Sequence, residues 1–192
     1  MDKNTLDSLK NWFSGYVASF YTGGKDTYLD EHYRLKEDHT YLVCGIARRI
    51  AEGLSLSDGD VNLAEATGLL HDTGRFEQFR QYRTYKDPES VDHCQLGVEV
   101  LRKENVAALT EPADWAILEK TVEVHGKKEL PAGLDERTAL FCKLIRDADK
   151  VDIFRVLAVN FRRYYADPKR FPLEVEFADK AEYSPDFVER LR

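Results

Sequence analysis

Apolar side chains recur every three or four residues along most of the chain, the spacing that places them on one face of an α-helix. The first such stripe consists of Leu6, Leu9, Phe13 and Val17. Alternation of apolar and polar residues, which would indicate a half-buried strand, is confined to residues 173–177. That segment is either a small strand or simply extended chain. The pattern therefore predicts an all-α fold.

Glycine, proline and helix-capping residues divide this pattern into separate helices. Asp60 and Asp92 are suited to cap helices, and Pro112 fits the first turn of another. Thr73-Gly74 predicts a turn, followed over residues 76–91 by a polar, tyrosine-rich connection with room for one short helix. The predicted helices cover about residues 4–20, 28–53, 60–72, 92–103 and 135–164, with one starting near residue 112 and a short one near residues 185–191.

The composition is that of an ordinary folded domain. The chain has 192 residues, of which 43% are hydrophobic and 33% charged, and this balance does not suit a disordered protein. Neither an internal repeat nor a linker divides the sequence. We therefore expect a single domain over residues 1–192, with a core at about residues 28–157 on which an N-terminal helix and the C-terminal tail pack.

Apolar runs and cysteines indicate the cellular setting. No apolar run is long enough to span a bilayer, and the first residues lack the apolar core of a signal peptide. Cys44, Cys94 and Cys142 are widely spaced and form no CxxC motif, which is typical of free thiols in a reducing compartment. We therefore expect a cytoplasmic protein that does not associate with a membrane.

The charge balance bears on the class of partner. The net charge is −7 and no long basic block occurs, so a nucleic-acid scaffold is not expected. An acidic protein that acts on an anionic substrate would need positive charge concentrated locally, through metal ions or a few Lys and Arg residues. The oligomeric state is left open.

Six residues able to bind metal fall on or next to the apolar faces of predicted helices. They are four of the five histidines and two aspartates: His39, His71, Asp72, His93, His125 and Asp149. A single buried histidine is usually only a hydrogen-bonded core residue, whereas a buried carboxylate is costly without a partner. Burial of the whole set is best explained by bound cations.

The donor types indicate which ions would suit such a site. Imidazole and carboxylate groups suit Fe, Mn, Co, Ni or Zn, and Mg is retained as well. Because no cysteine belongs to the series, a thiolate zinc site is not expected. The set provides for one or two divalent ions, with Asp72 bridging a first ion at His39, His71 and Asp149 to a second at His93 and His125.

The order H…HD…H…H…D resembles the HD-domain superfamily of metal-dependent phosphohydrolases. The resemblance covers about residues 28–157 and is carried by Lys36-Glu37-Asp38-His39-Thr40, His71-Asp72-Thr73-Gly74-Arg75, Ser90-Val91-Asp92-His93 and Asp147-Ala148-Asp149-Lys150. It implies a helical bundle around a central metal site. The residues that match the family's core ligands are His39, His71, Asp72 and Asp149, while His93 and His125 match the additional histidines of two-metal members.

The expected reaction is hydrolysis of a phosphomonoester or phosphodiester, of a nucleotide or a related small molecule, by a metal-activated hydroxide. Asp72 is expected to act with Lys36, one turn before His39, and with Arg75, which follows the Thr73-Gly74 turn. Both cations are placed to bind phosphate. The general acid is left open. The alternatives are a di-iron oxygenase of the same fold and a non-catalytic, metal-stabilised sensor.

The sequence also predicts a role for Asp152 and a position for His32. Asp152 lies one turn after the last aspartate of the series and would either orient a histidine or form a salt bridge with Arg155. His32 lies seven residues before the first histidine, about 10.5 Å along the helix, which is too far to share its ion. We expect it at the surface or at the rim of a cavity.

Overall fold

Seven α-helices and two 3-10 helices make up most of residues 1–170, the part of the chain that the computed structural model describes. The α-helices are α1 (Lys3–Ala18), α2 (Thr27–Gly53), α3 (Asp58–Leu70), α4 (Thr73–Tyr82), α5 (His93–Lys103), α6 (Pro112–Val124) and α7 (Glu136–Ala166). The predicted all-α class is confirmed. No helix within residues 1–170 combines the length and apolar character that crossing a membrane requires. The segments predicted at residues 173–177 and 185–191 lie outside the described residues.

Side-chain caps set the starts of most helices. The Asp92 carboxylate accepts hydrogen bonds from the first turn of α5, and Asp135 accepts one from Thr138 N at the start of α7. The prediction that Asp60 caps α3 is wrong. Ser57 is the cap, because its backbone is extended and its hydroxyl accepts from Asp60 N at 3.2 Å.

Helix α4 lies where the sequence predicted a turn and a connection. The chain becomes helical again directly after Asp72, and Phe76 and Phe79, three residues apart, are fully buried on one face of α4. Their rings pack against Phe13 of α1 and Tyr33 of α2. His32 joins this cluster by stacking on Phe79, with ring centroids 4.3 Å apart, so its predicted surface or rim position is wrong.

Helix α3 lies at the centre of the domain. It contacts α1, α2, α6 and α7, while α4 packs on α5. The α1 side chains Leu6, Leu9, Phe13 and Val17 are all buried, as their spacing predicted. Because the centre of the bundle is crowded with helices, the residues just after α3 are surrounded by α2, α5, α6 and α7. The His71-Asp72 pair stands at that point.

Candidate metal centre

The six predicted residues converge on one buried region. On one side of it, His39 Nε2 lies 3.2 Å from His71 Nε2 and 3.2 Å from Asp149 Oδ1. On the other side, His93 Nε2 lies 3.1 Å from His125 Nε2. These residues come from α2, α5, α7 and the ends of α3 and α6. The structure therefore brings together donors that are more than a hundred positions apart in sequence.

Asp72 stands between the two histidine pairs and turns one oxygen toward each. Its Oδ2 atom lies 3.7 Å from His39 Nε2 and 3.8 Å from His71 Nε2. Its Oδ1 atom lies 3.7 Å from His93 Nε2 and 3.5 Å from His125 Nε2. A carboxylate in this position could contribute one oxygen to each of two divalent ions.

Every histidine of the cluster is oriented by an acceptor behind it. A carbonyl or ionised carboxylate oxygen can only accept, so each Nδ1 carries a proton and donates it, and each ring turns its Nε2 atom toward the centre. The acceptors are Asp152 Oδ2 for His39 (2.7 Å), Gly68 O for His71 (2.7 Å), Asp87 Oδ2 for His93 (2.6 Å) and Val122 O for His125 (2.9 Å). Asp152 also binds Arg155, so both of its expected roles occur.

This donor arrangement fits divalent cations. Two Nε2 lone pairs that face each other at 3.1–3.2 Å repel unless a proton or a cation lies between them. The cluster also favours positive charge. Burial opposes protonation of His125, but its hydrogen bonds with Asp72 and Cys94 raise the pKa to about 10. Residues of this kind are the nitrogen and oxygen ligands of Fe, Mn, Co, Ni and Zn.

The pKa values of three further ligand candidates, Asp72, Asp149 and His71, are all lowered. Burial alone would raise the pKa of Asp72, but the charge of the neighbouring Lys36 ammonium holds it well below its ordinary value. For Asp149, the hydrogen bond from His39 outweighs burial and lowers the pKa to about 2. His71 is completely enclosed, and loss of hydration lowers its pKa to about 4. The centre therefore contains ionised carboxylates beside a neutral imidazole.

Cys94 also belongs to this cluster, contrary to the prediction that no cysteine would. Its Sγ atom lies 3.5 Å from His93 Nε2, and it lies beside the His125 ring, 3.6 Å from Nδ1 and 3.9 Å from Nε2. These three side chains form one of the groups within residues 1–170 whose donor atoms are close enough to hold a metal ion. Burial would raise the pKa of the Cys94 thiol, but hydrogen bonds with His125 and His93 lower it to about 6.

Asp87 is a second residue that the sequence pattern did not reveal. It lies in the 3-10 helix Asp87–Glu89, on no helical face, and only its position six residues before His93 offered a signal. One of its oxygens accepts from His93, and the other accepts from Arg75 and Gln78, both at 2.9 Å. Asp87 therefore fixes a histidine and a cation of the cavity at the same time.

Replacing Asp87 by Asn is expected to weaken metal binding about 10- to 100-fold, because His93 would lose the carboxylate that fixes its ring and raises its basicity. Titration of the stripped protein with zinc against a competing chelator measures this change. Glu89→Gln is the matched control, since Glu89 lies in the same turn, is exposed and pairs with Lys86. Equal zinc affinity in the Asp87→Asn variant and the control would contradict the role given to Asp87.

Two cations flank the bridging carboxylate. Lys36 Nζ lies 2.9 Å from Asp72 Oδ2, and Arg75 Nε lies 3.5 Å from Asp72 Oδ1. The Arg75 guanidinium is fixed through its NH1 group, which donates to Asp87, Gln78 and the Tyr85 carbonyl. Its Nε atom is buried and makes no hydrogen bond with the described residues. Both of the predicted cations therefore adjoin the centre.

A cavity of about 290 Å³ opens onto this cluster. Its walls are polar except on the α7 side, where Ile153 and Val156 contribute apolar surface. The lining residues are Lys36, His39, Asp72, Arg75, Asp87, His93, His125, Gly126, Asp149, Ile153 and Val156. A larger cavity of about 680 Å³ between α1, α4 and α5 contains none of the six predicted ligands.

Comparison with known families agrees with this site. The family model described as HD domain matches residues 37–153, which is more than half of the chain and includes all six residues of the cluster. The chain therefore belongs to the HD domain family, whose members are in general metal-dependent hydrolases. Neither the curated proteins nor the solved structures contained a match.

Proposed function

We propose that this protein is a metal-dependent phosphohydrolase that cleaves a phosphomonoester or phosphodiester of a nucleotide or a related small molecule. The observation that carries the proposal is the environment of Asp72. Its two oxygens face two separate pairs of imidazole nitrogens, while Lys36 and Arg75 contact it from the walls of the same cavity. Metal ligands and fixed positive charge thus meet at one small opening.

The proposed metal ligands fall into two sets that share Asp72. The first set is His39, His71, Asp149 and Asp72 Oδ2, and the second includes His93, His125 and Asp72 Oδ1. Divalent ions bound there would lower the pKa of a bound water and offset the charge of phosphoryl oxygens. The orienting hydrogen bonds behind the histidines keep every Nε2 atom aimed at the centre.

Lys36 and Arg75 are proposed to bind the substrate phosphate. The Lys36 ammonium lies 2.9 Å from Asp72 and neutralises its charge. A metal ion bound to the same carboxylate would take over that role, so Asp72 would no longer need the ion pair with Lys36. Lys36 can then turn to a phosphate oxygen in the cavity that it lines. Arg75 is held in place by Asp87 and lines the same cavity. Two cations at a metal site favour an anionic substrate over a neutral one.

The cavity limits which part of the substrate is enclosed. Its volume of about 290 Å³ is at the lower end of ligand sites, which run from about 300 to 1,000 Å³. A phosphate group with its immediate neighbours fits inside, and a larger leaving group extends past Ile153 and Val156 toward solvent. These two side chains offer apolar contact to a sugar or base. The proposal therefore covers phosphate esters of small molecules.

A substrate screen tests the proposal. Protein that is stripped with a chelator and reloaded with Mn or Fe is incubated with phosphomonoesters, cyclic nucleotides and dinucleotides, and the stripped protein is the control. We expect metal-dependent hydrolysis of at least one class. Failure to hydrolyse any of them at full metal occupancy would contradict the proposal. Oxygen consumption by a di-iron form would instead identify the oxygenase alternative.

A further inference from the structure

We propose that Tyr85 is a positioning residue that holds the Lys36 ammonium beside the cavity of the metal centre. The inference rests on the phosphate-binding role given to Lys36 in the proposed function, and it names the residue on which that role depends. Tyr85 lies in the segment between α4 and the 3-10 helix Asp87–Glu89, and it does not line the cavity itself. Any effect on a bound phosphate is therefore exerted through the side chains that Tyr85 contacts.

The aromatic ring of Tyr85 faces the Lys36 ammonium. Lys36 Nζ is 5.1 Å from the ring centroid, a distance at which the negative face of an aromatic ring attracts a cation. Only 14% of the Lys36 side chain is exposed, so solvent weakens this attraction little. The same ammonium lies 2.9 Å from Asp72 Oδ2. Lys36 is thus held both by a carboxylate and by an uncharged ring.

These two contacts of Lys36 respond differently to metal binding. With a divalent ion at Asp72, the carboxylate would lose most of its attraction for the ammonium. The attraction of the Tyr85 ring would not change, because the ring carries no charge and contacts no ion. We expect Lys36 to remain beside the cavity and not to extend into solvent. A phosphate that enters then meets a cation already in place, so less side-chain entropy is lost on binding.

Neighbouring groups fix the position of Tyr85. The chain reverses at Arg83, whose left-handed conformation (φ 59°) ends α4 and returns Tyr85 to Phe79. The Tyr85 and Phe79 rings stack with their centroids 4.5 Å apart, and the Tyr85 hydroxyl donates to the His32 carbonyl at 3.0 Å. The Tyr85 carbonyl also accepts from Arg75 NH1 at 2.6 Å. One residue therefore supports both of the cations that are proposed to bind phosphate.

Binding of inorganic phosphate to the manganese-loaded protein, measured by calorimetry, tests this role. Tyr85→Leu removes the aromatic face and should weaken phosphate binding about 5- to 30-fold, the effect of losing one cation–π contact that is largely shielded from water. Tyr85→Phe keeps the face and loses only the hydroxyl, so its affinity should stay within about twofold of the wild type. Metal content per chain should be equal in all three proteins.

Tyr82→Leu is the matched control, because Tyr82 ends α4, is exposed and does not line the cavity. We expect it to bind phosphate as the wild type does. Equal phosphate affinity in Tyr85→Leu and the control would overturn the inference, and so would an equal loss in Tyr85→Phe and Tyr85→Leu. If Tyr85→Leu does not fold, Tyr85→Met takes its place, since methionine fills much of the same space without a ring.

Hydrolysis separates this inference from the proposed function. For any substrate that the protein cleaves, Tyr85→Leu should raise KM and leave kcat nearly unchanged, because binding and not the chemical step loses a contact. A lower kcat at unchanged KM would contradict the positioning role. Phosphate binding that depends on Tyr85 without hydrolysis of any ester would refute the proposed function alone. Hydrolysis together with phosphate binding that is independent of Tyr85 would refute the inference alone.

Discussion

Replacing Asp72 by Asn should remove most of the bound metal and lower hydrolysis more than about 100-fold. Loss of an outer partner of a metal ligand already costs about 10- to 100-fold, and Asp72 is placed to serve both halves of the centre directly. The amide keeps the shape of the carboxylate but loses its charge and presents one oxygen instead of two. It would also leave Lys36 and Arg75 without the carboxylate that they flank.

Metal content per chain, measured by mass spectrometry after dialysis, and the rate of hydrolysis report this effect. Asp147→Asn is the matched control, since Asp147 lies two residues before Asp149 on α7 and its side chain is exposed. We expect the control to retain both metal and activity. An Asp72→Asn protein that binds two ions as tightly as the control would show that Asp72 does not bridge the two halves.

Replacing Gly74 by Ala should destabilise the fold by about 3 kcal/mol, the upper end of the cost of overpacking. A Cβ atom at Gly74 would lie 2.3 Å from the His93 carbonyl oxygen and 2.6 Å from Gly97 N. Both neighbours are backbone atoms of α5, so α4 and α5 would have to move apart. The gain in helix propensity from alanine, about 1 kcal/mol, is too small to offset this. Because α5 begins at His93, the shift would also disturb the metal centre.

Urea unfolding followed by circular dichroism measures the loss of stability. Gly45→Ala is the control, because Gly45 lies inside α2 and a Cβ atom there meets nothing within 4 Å. We expect that substitution to stabilise the protein by about 0.5–1 kcal/mol. If both variants unfold at the same urea concentration, the contact between α4 and α5 is not as close as described.

The sequence predicted the helices whose apolar stripes and caps agree. The stripe of α1 and the cap Asp135 of α7 are examples, because spacing and capping are local properties. Helix α4 was predicted only as room for one short helix within residues 76–91, and a turn was predicted at its start, Thr73. Only Phe76 and Phe79 mark its buried face, and the rest of its ten residues are mostly polar. Its helical state depends on packing against α5 and the aromatic cluster, which no local pattern expresses.

The convergence of the six donors could be predicted because each histidine or aspartate lay on or beside an apolar face. Among the residues that support them, Asp152 could be predicted from its spacing on the helix, but Asp87 could not. Asp87 reaches His93 from a single 3-10 turn, which is too short to have a sequence period. Cys94 was left out of the series because no pattern in the sequence linked it to the histidines. Its contact with His125 joins residues 31 positions apart and depends on how α5 packs against the end of α6.

Both ring nitrogens of His39 on α2 contact carboxylates from one turn of α7. His39 Nε2 lies 3.2 Å from Asp149 Oδ1, and its Nδ1 donates to Asp152 Oδ2 at 2.7 Å. A slide of α7 by one residue, about 1.5 Å along its axis, would break both contacts together. The His39 imidazole therefore fixes how far α2 and α7 are shifted relative to each other along their axes. The geometry of the centre and the register of α2 against α7 thus depend on the same two contacts.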